Sequence, residues 1–329
     1  MVATTEERLN SFFDCFKDKK ILVVGDLMLD RYVEGTVNRI SPEAPVPVVE
    51  VKTEFTRMGG AANVAYNLYS LKAIPILIGI VGEDDTGKVL TGLMHNLNFP
   101  TEHLLISEQR PTVVKTRIIA DDQHIVRADR ESKSPIDKEL AEKVINTVEK
   151  TIDQADAVII QDYNKGLLTA GIITRVIEIA KRHQKIITVD PKFDNFFQYK
   201  SVTLFKPNRK ETEQALGIRI DSVQDVENAC KLLLNRLNCD SVLITLGEEG
   251  MCLVESNGDV FRVETKARKV HDVSGAGDTV ISTLTLALSC GANLKEATTL
   301  ANYSAGAVCG EVGVVPITPD KLKMAFQNF

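Results

Sequence analysis

The sequence predicts an α/β protein in three layers: a mainly parallel sheet between two layers of helices, with a small β-sheet lid projecting from it. Three observations carry this. From residue 135 onward, short apolar runs alternate with helix-length amphipathic segments, the pattern of βαβ units. The apolar runs are continuous, as strands buried on both faces require. Two separated segments, 32–52 and 111–128, break this alternation and resemble each other in character. They are expected to supply the strands of the lid, within one domain spanning residues 1–329.

The elements follow in order. Residues 5–17 read as a short amphipathic helix. The run Lys20-Ile21-Leu22-Val23-Val24-Gly25-Asp26 reads as a buried strand whose end enters a site. Tyr32 to Gly35 and Val46 to Val51 alternate loosely around Pro42, Pro45 and Pro47, which exclude helix and favour edge strands. Arg57-Met58-Gly59-Gly60-Ala61-Ala62-Asn63 runs into a helix of small residues ending near Leu71. Residues 76–82 form the next buried strand and 84–97 a helix. Residues 112–119 and 123–127 read as a hairpin around Asp121-Asp122. Helix 135–153, strand 156–161, helix 169–183 and strand 185–190 continue the alternation. Strand 202–205, helices 209–216 and 222–237 and strand 241–246 follow. Two short antiparallel strands lie within 250–264, and helices near 276–290, 294–309 and 319–328 close the series.

Bulk properties exclude several function classes. Hydrophobic residues make up 44% of the 329 and charged residues 26%, a globular and soluble balance. The net charge of −6 argues against nucleic-acid or anionic-membrane partners. No apolar run reaches the roughly 20 residues needed to span a bilayer. The N-terminal residues lack the features of a signal peptide. The expected location is therefore cytoplasmic. Cys15, Cys230, Cys239, Cys252, Cys290 and Cys309 show no C-x-x-C spacing and are expected to be buried free thiols in a reducing compartment. The five histidines show no metal-binding spacing.

The strongest chemical signal is His271-Asp272-Val273-Ser274-Gly275-Ala276-Gly277-Asp278-Thr279, followed by an apolar helix. The glycines allow close backbone approach to a ligand, and the helix start adds partial positive charge. Together they suit a transferring phosphoryl group. A carboxylate in such a place suits a general base, and Asp278 is the candidate. Read structurally, the segment is a tight turn with Asp278 at a helix start. The second signal is Gly59-Gly60-Ala61-Ala62-Asn63, where bare backbone and the Asn63 amide would face a substrate or would serve helix packing. The third is Lys206-Pro207-Asn208-Arg209-Lys210-Glu211. Asn208 and Glu211 stand one turn apart and would hold hydrated Mg²⁺, or would form a capping box.

Taken together, these segments resemble the PfkB (ribokinase-like) carbohydrate kinase family over essentially the whole chain. The Gly-Gly segment resembles the family's first signature and Asp272 to Thr279 its second. The resemblance implies a ribokinase-like fold, ATP and Mg²⁺ as cofactors, and Asp278 as base beside an anion hole of Gly275, Ala276 and Gly277. It implies nucleotide-site walls from Thr245-Leu246-Gly247 and from Asn302 to Gly306. Asp30, Gly59, Gly60 and Asn63 would hold sugar hydroxyls, and Asp272 would belong to a loop for a monovalent cation such as K⁺. The segments 25–32, 38–48 and 162–166 narrow the resemblance to members acting on a sugar that already carries a phosphate. Lys115, Arg117, Arg127, Lys165 and Arg31 are candidates for that phosphate, Arg through its bidentate fork. Kinases for ribose or a phosphorylated ketohexose remain alternatives, as does a non-catalytic sensor of the same fold. No His-x-Gly-His motif is present, so kinase activity without adenylyl transfer is expected. Pairing of two lids would cover their open edges, giving a homodimer.

Two look-alikes are set aside. Gly82 to Lys88 has the spacing of a phosphate-binding P-loop, but Val89 stands where Ser or Thr is needed. Gly275-Ala276-Gly277 lacks the third glycine of a dinucleotide fingerprint, which weighs against a nicotinamide enzyme.

Overall fold

The structure, a computed structural model, describes residues 5–121, 123–265, 274–311 and 313–327. The chain runs through α1 (Glu6–Phe16), β1 (Lys20–Gly25), β2 (Leu27–Ile40), β3 (Pro47–Gly60), α2 (Ala61–Ser70), β4 (Ile74–Gly82) and α3 (Asp85–Asn96). It continues through β5 (Leu104–Ser107), β6 (Val113–Ala120), β7 (Gln123–Arg130), α4 (Lys138–Thr151), β8 (Ala157–Gln161), α5 (Ala170–Arg182) and β9 (Ile186–Asp190). It ends with β10 (Leu204–Phe205), α6 (Arg209–Leu216), α7 (Val223–Leu237), β11 (Ser241–Thr245), β12 (Met251–Glu255), β13 (Val260–Val263), α8 (Ala276–Ser289), α9 (Leu294–Val308) and α10 (Pro319–Gln327).

Among the described residues, nine strands form the large sheet in the order β13-β12-β11-β10-β9-β8-β1-β4-β5. The strands from β11 to β5 in this order pair in parallel, and β12 and β13 add an antiparallel edge. The period-2 alternation of strand side chains sorts the core into two layers. On β1, Ile21 and Val23 pack with Phe12 of α1, α2 and α8. Leu22 and Val24 face the other way, against α4, α5 and α7. Each such fully buried aliphatic side chain stabilises the fold by about 2 kcal/mol relative to exposure. On α5 the buried residues are Ile172, Ile173, Val176, Ile177, Ile179 and Ala180, one helical stripe, and Thr169 caps the start by accepting from the Ile172 N–H.

The small sheet has the order β3-β2-β6-β7. Its strands reach further than the sequence suggests. β2 begins at Leu27, directly after β1, and β3 runs to Gly60, directly before α2. The β2–β6 pair is parallel and the other two pairs are antiparallel. The sheet is therefore rooted in the centre of the molecule, where β1 ends and α2 begins.

One expectation is corrected. Cys15 and Cys290 form a disulfide, with Cα atoms 5.9 Å apart, because α1 packs against α8 near the latter's C-terminal end. A separation of 275 residues hides that proximity in the sequence. Cys230, Cys239, Cys252 and Cys309 are buried thiols, as expected. Among the described residues, no helix is long and apolar enough to cross a membrane.

Candidate active site

The large sheet's parallel strands end in polar residues on one side of the molecule: Asp26 after β1, Gln161 on β8, Asp190 on β9 and Lys206 after β10. Open α/β sheets place ligands beyond the carboxyl ends of their strands. The N-terminus of α8 is brought to this edge. Its N-cap, Gly275, has φ 79°, a left-handed conformation that favours glycine. The first N–H groups of the helix lack partners within it and carry its positive partial charge. Asp278 lies in this first turn.

Asp278 is buried and held by three donors. The Asn63 Nδ2 donates to its Oδ2 at 2.7 Å. The Tyr163 hydroxyl and the Gln161 Nε2 donate to its Oδ1 at 2.7 and 3.2 Å. Burial raises its pKa to about 6; the Asn63 and Tyr163 bonds oppose this, while the charge of Asp190 adds to it. Asp190 in turn accepts from Gln161 Nε2 at 3.1 Å and pairs with Lys206 Nζ at 3.0 Å. A Cβ built on Gly277 would lie 3.6 Å from Lys206 Nζ, so this ammonium stands beside the anion-binding turn. Among the described residues the buried Gln161 Oε1 has no hydrogen-bond partner, and it is an acceptor open to a ligand hydroxyl.

A cavity of about 480 Å³ opens at the α8 start. Thr245, Gly247, Ala276, Gly277, Asn302 and Gly306 all line it, so the expected nucleotide-wall residues and two of the three anion-hole residues share one space, while Gly275 is not part of its lining. Residue 208 forms a parallel bridge to Thr245, which brings the 208–211 segment to the cavity wall. Asn208 and Glu211 form the capping box of α6: Asn208 Oδ1 accepts from the Glu211 N–H at 2.8 Å, and Glu211 Oε2 accepts from the Asn208 N–H at 2.9 Å. Glu211 also binds Lys192.

Gly59 and Gly60 lie at the end of β3, paired with Met28 and Leu27. A Cβ on Gly59 would collide with Asp30 Oδ2 at 2.3 Å, and one on Gly60 with the Asp26 carbonyl at 2.4 Å. The two glycines thus let β3 close against two acidic residues of the site. Asp30 is buried and paired with Arg117. Lys115 lies 3.1 Å from Asp129 and 3.7 Å from Glu131, Lys165 lies 2.8 Å from Glu131, and Arg127 lies 3.0 Å from Asp129. Arg31 stands 3.6 Å from Glu54. Strand register sets Asp30, Lys115 and Asp129 in one row and Arg117 with Arg127 in another. Every candidate phosphate cation therefore has a carboxylate neighbour. Asp272 and His271 lie outside the described residues. Lys88, of the P-loop look-alike, is exposed and paired with Asp85 at 3.1 Å on α3.

A family model for pfkB family carbohydrate kinases matches residues 18–321. The chain belongs to this family. It is a carbohydrate kinase with a ribokinase-like fold. A relative from Desulfatibacillum aliphaticivorans, a bifunctional protein HldE, is 42% identical over 323 residues, covering 98% of this chain and 66% of that protein. The bifunctional protein HldE of Helicobacter pylori (strain J99 / ATCC 700824) is 44% identical over 295 residues, covering 90% and 64%. The kinase chain thus spans about two-thirds of the length of these relatives. Among solved structures, phosphofructokinase-2 from Escherichia coli in complex with substrates and products is similar with a TM-score of 0.79 at 18% identity, covering 94% of this chain and 99% of that one. Ribokinase from Arabidopsis thaliana complexed with ribose and ATP gives 0.74 at 18% identity, covering 94% and 99%. At that identity the likeness speaks to the fold alone.

Gln161 and Asp190 join the site without a motif of their own in the sequence, and Tyr163 and Lys206 lie inside the 162–166 and 206–211 segments without a role of their own there. The signal available is positional: each lies at or just beyond the end of an apolar run.

Proposed function

We propose that this kinase transfers the γ-phosphoryl group of ATP to O1 of D-glycero-β-D-manno-heptose 7-phosphate, giving the 1,7-bisphosphate. The reaction belongs to the supply of ADP-heptose for lipopolysaccharide. The observation that carries the kinase chemistry is the Asp278 carboxylate, buried in the first turn of α8, directly after Ala276 and Gly277, which line the 480 Å³ cavity. ATP occupies that cavity, with its transferring group at the α8 N-terminus. Asp278 takes the proton of the anomeric hydroxyl as that oxygen attacks the γ-phosphorus. The amides of the helix start, with Lys206 beside them, stabilise the charge on the phosphoryl oxygens. The narrower substrate reading rests on the sequence segments 25–32, 38–48 and 162–166.

Both oxygens of Glu211 already accept a bond, and among the described residues no group of three His, Cys, Asp or Glu gathers as a metal site. This suits a Mg²⁺ held by ATP phosphates and water, with Asn208 and Glu211 as outer partners. When bound, the ion neutralises phosphate charge. Asp272 remains the candidate for a K⁺ loop. Lys115, Arg117, Arg127, Lys165 and Arg31 supply the cations for the 7-phosphate, which would exchange for the carboxylates they now meet. Asp30, Gly59, Gly60 and Asn63 form the sugar side of the site. The kinase acts in the cytoplasm as a homodimer joined through the small sheets, whose Ile40 and Val51 side chains are more than half exposed.

The test is ATP consumption against the heptose 7-phosphate, fructose 6-phosphate, fructose 1-phosphate and ribose, with products identified by mass and phosphorus NMR. Turnover confined to the heptose phosphate, with a 1,7-bisphosphate product, is the expected result. Turnover of another sugar replaces the substrate and keeps the chemistry. Turnover of none moves the reading of a non-catalytic sensor of this fold to the front.

A further inference from the structure

The loop that follows β8 is fixed from beneath by two buried carboxylates. Asp26 Oδ2 accepts from the Tyr163 and Lys165 N–H groups at 3.0 and 3.1 Å, and its Oδ1 from the Leu167 N–H at 3.3 Å. Asp162 Oδ1 accepts from the Asn164 N–H at 2.7 Å, and its Oδ2 from the Tyr199 hydroxyl at 2.6 Å. The backbone on either side of Tyr163 is therefore held in place before any ligand binds. From this fixed position the Tyr163 hydroxyl reaches Asp278 Oδ1 at 2.7 Å.

The distribution of donors over the Asp278 carboxylate is uneven. Among the described residues Oδ1 receives two, from Tyr163 and Gln161, while Oδ2 receives one, from Asn63. An ionised carboxylate has about two acceptor positions on each oxygen. Oδ1 is therefore full and Oδ2 has one position left. We infer that Tyr163 is a positioning residue for the transfer step: with Gln161 it saturates Oδ1, so that Oδ2 is the atom that receives the acceptor proton.

This rests on the proposed role of Asp278 as base. In the step, the acceptor O–H proton passes to Oδ2 and the oxygen bonds to the γ-phosphorus. The bond from that phosphorus to the β–γ bridging oxygen breaks, and ADP leaves with the electron pair. Tyr163 keeps its own proton throughout. Desolvation of its hydroxyl, with the charges of Asp278 and Asp190, pushes its pKa well above the usual phenol range. Among the described residues, the other charged groups facing this carboxylate or Tyr163 are Asp190 on β9, Lys206 after β10, Lys192 over the Tyr163 ring at 5.4 Å, and Asp30 on β2.

A hydrogen bond that stabilises the ionised carboxylate lowers its proton affinity, so its loss moves the acidic limb of kcat/KM to higher pH. The experiment uses the full chain with ATP, Mg²⁺ and the sugar phosphate found active in the panel. Tyr163→Phe is expected to lower kcat about tenfold and to raise the acidic limb by about one pH unit, with KM for ATP unchanged. Site-specific 3-fluorotyrosine at 163, a stronger donor of nearly the same shape, is expected to move the limb down. Opposite movements support the inference. Limbs that stay put, or move in the same direction, overturn it. Failure of the base assignment is read separately: if Asp278→Asn keeps wild-type turnover, the base is elsewhere, whereas an inactive Asp278→Asn with an unshifted Tyr163→Phe profile overturns only the role of Tyr163.

Discussion

The two acidic regions of this kinase are built on different plans. At the strand ends, Asp278 and Asp190 are buried and satisfied by side chains that come from the large sheet, α2 and the loop after β8. On and beside the small sheet, Asp129 and Glu54 meet the more exposed Arg127 (57%) and Arg31, and Asp129 and Glu131 meet the largely buried Lys115. The first arrangement holds a reacting group at one place before substrate arrives, which is what electrostatic preorganisation requires. The second holds cations through carboxylates that an incoming phosphate can replace, most readily at the more exposed Arg127 and Arg31 pairs, since exposed ion pairs are worth little. The difference teaches a division of labour: the groups proposed for catalysis belong to the large sheet's strand ends and the α8 start, and most of the cations proposed to read the substrate belong to the small sheet rooted beside them.

Changes at the strand ends should break this contrast most strongly. Asp278→Asn should lower kcat by about 10³-fold while ATP binding by calorimetry persists. Lys206→Met leaves Asp190 buried without its ion-pair partner and should cost about 3–5 kcal/mol of stability, read as a lower urea midpoint. The pH response sharpens the contrast further. The folded-state pKa of Asp278 is raised to about 6 from 3.8, so its protonated form favours folding. Between about pH 4 and 6 the wild type should lose stability relative to Asp278→Asn as pH rises, while kcat/KM rises over the same range as the base ionises. Parallel trends in the two quantities would detach the base from this carboxylate. On the small sheet, Arg127→Ala should raise KM for the phosphorylated sugar about fivefold with little change in kcat or stability, the signature of lost ground-state binding. Smallest of all, Lys88→Ala should leave KM for ATP unchanged within about twofold and stability within about 0.5 kcal/mol, since its pair with Asp85 is exposed.

Much of the architecture is legible because strands buried on both faces appear as unbroken apolar runs. Boundaries are less clear. The strand expected from 156 starts at Ala157, one residue later, because the Asp156 side chain turns to accept from the Lys20 N–H. β5 gives no comparable signal, since it has four residues and lies at the sheet edge. The full reach of β2 is hidden because Asp30 and Arg31 interrupt its apolar character, although Asp30 is buried by pairing with Arg117. In the site, Asp278 and its glycines are visible as one contiguous segment. Its donors are not, because Asn63, Gln161 and Tyr163 stand 215, 117 and 115 residues away in the chain and meet it only through the parallel crossovers. The Asn208–Glu211 spacing serves two readings at once, and the structure shows the capping box without removing the outer role toward a metal.

The helix that carries Asp278 has one further consequence. Every side chain of α8 from Asp278 to Leu288 is buried, so the element lies at the centre of its layer and not on the surface as amphipathic helices do. Its hydrogen-bonded amides, from Thr279 onward, are expected to meet solvent deuterium only on large-scale opening, whereas those at the exposed β7 edge can exchange through local fraying. The exchange clock of the residues that follow Asp278 is thus expected to read global stability, one turn from the carboxylate itself.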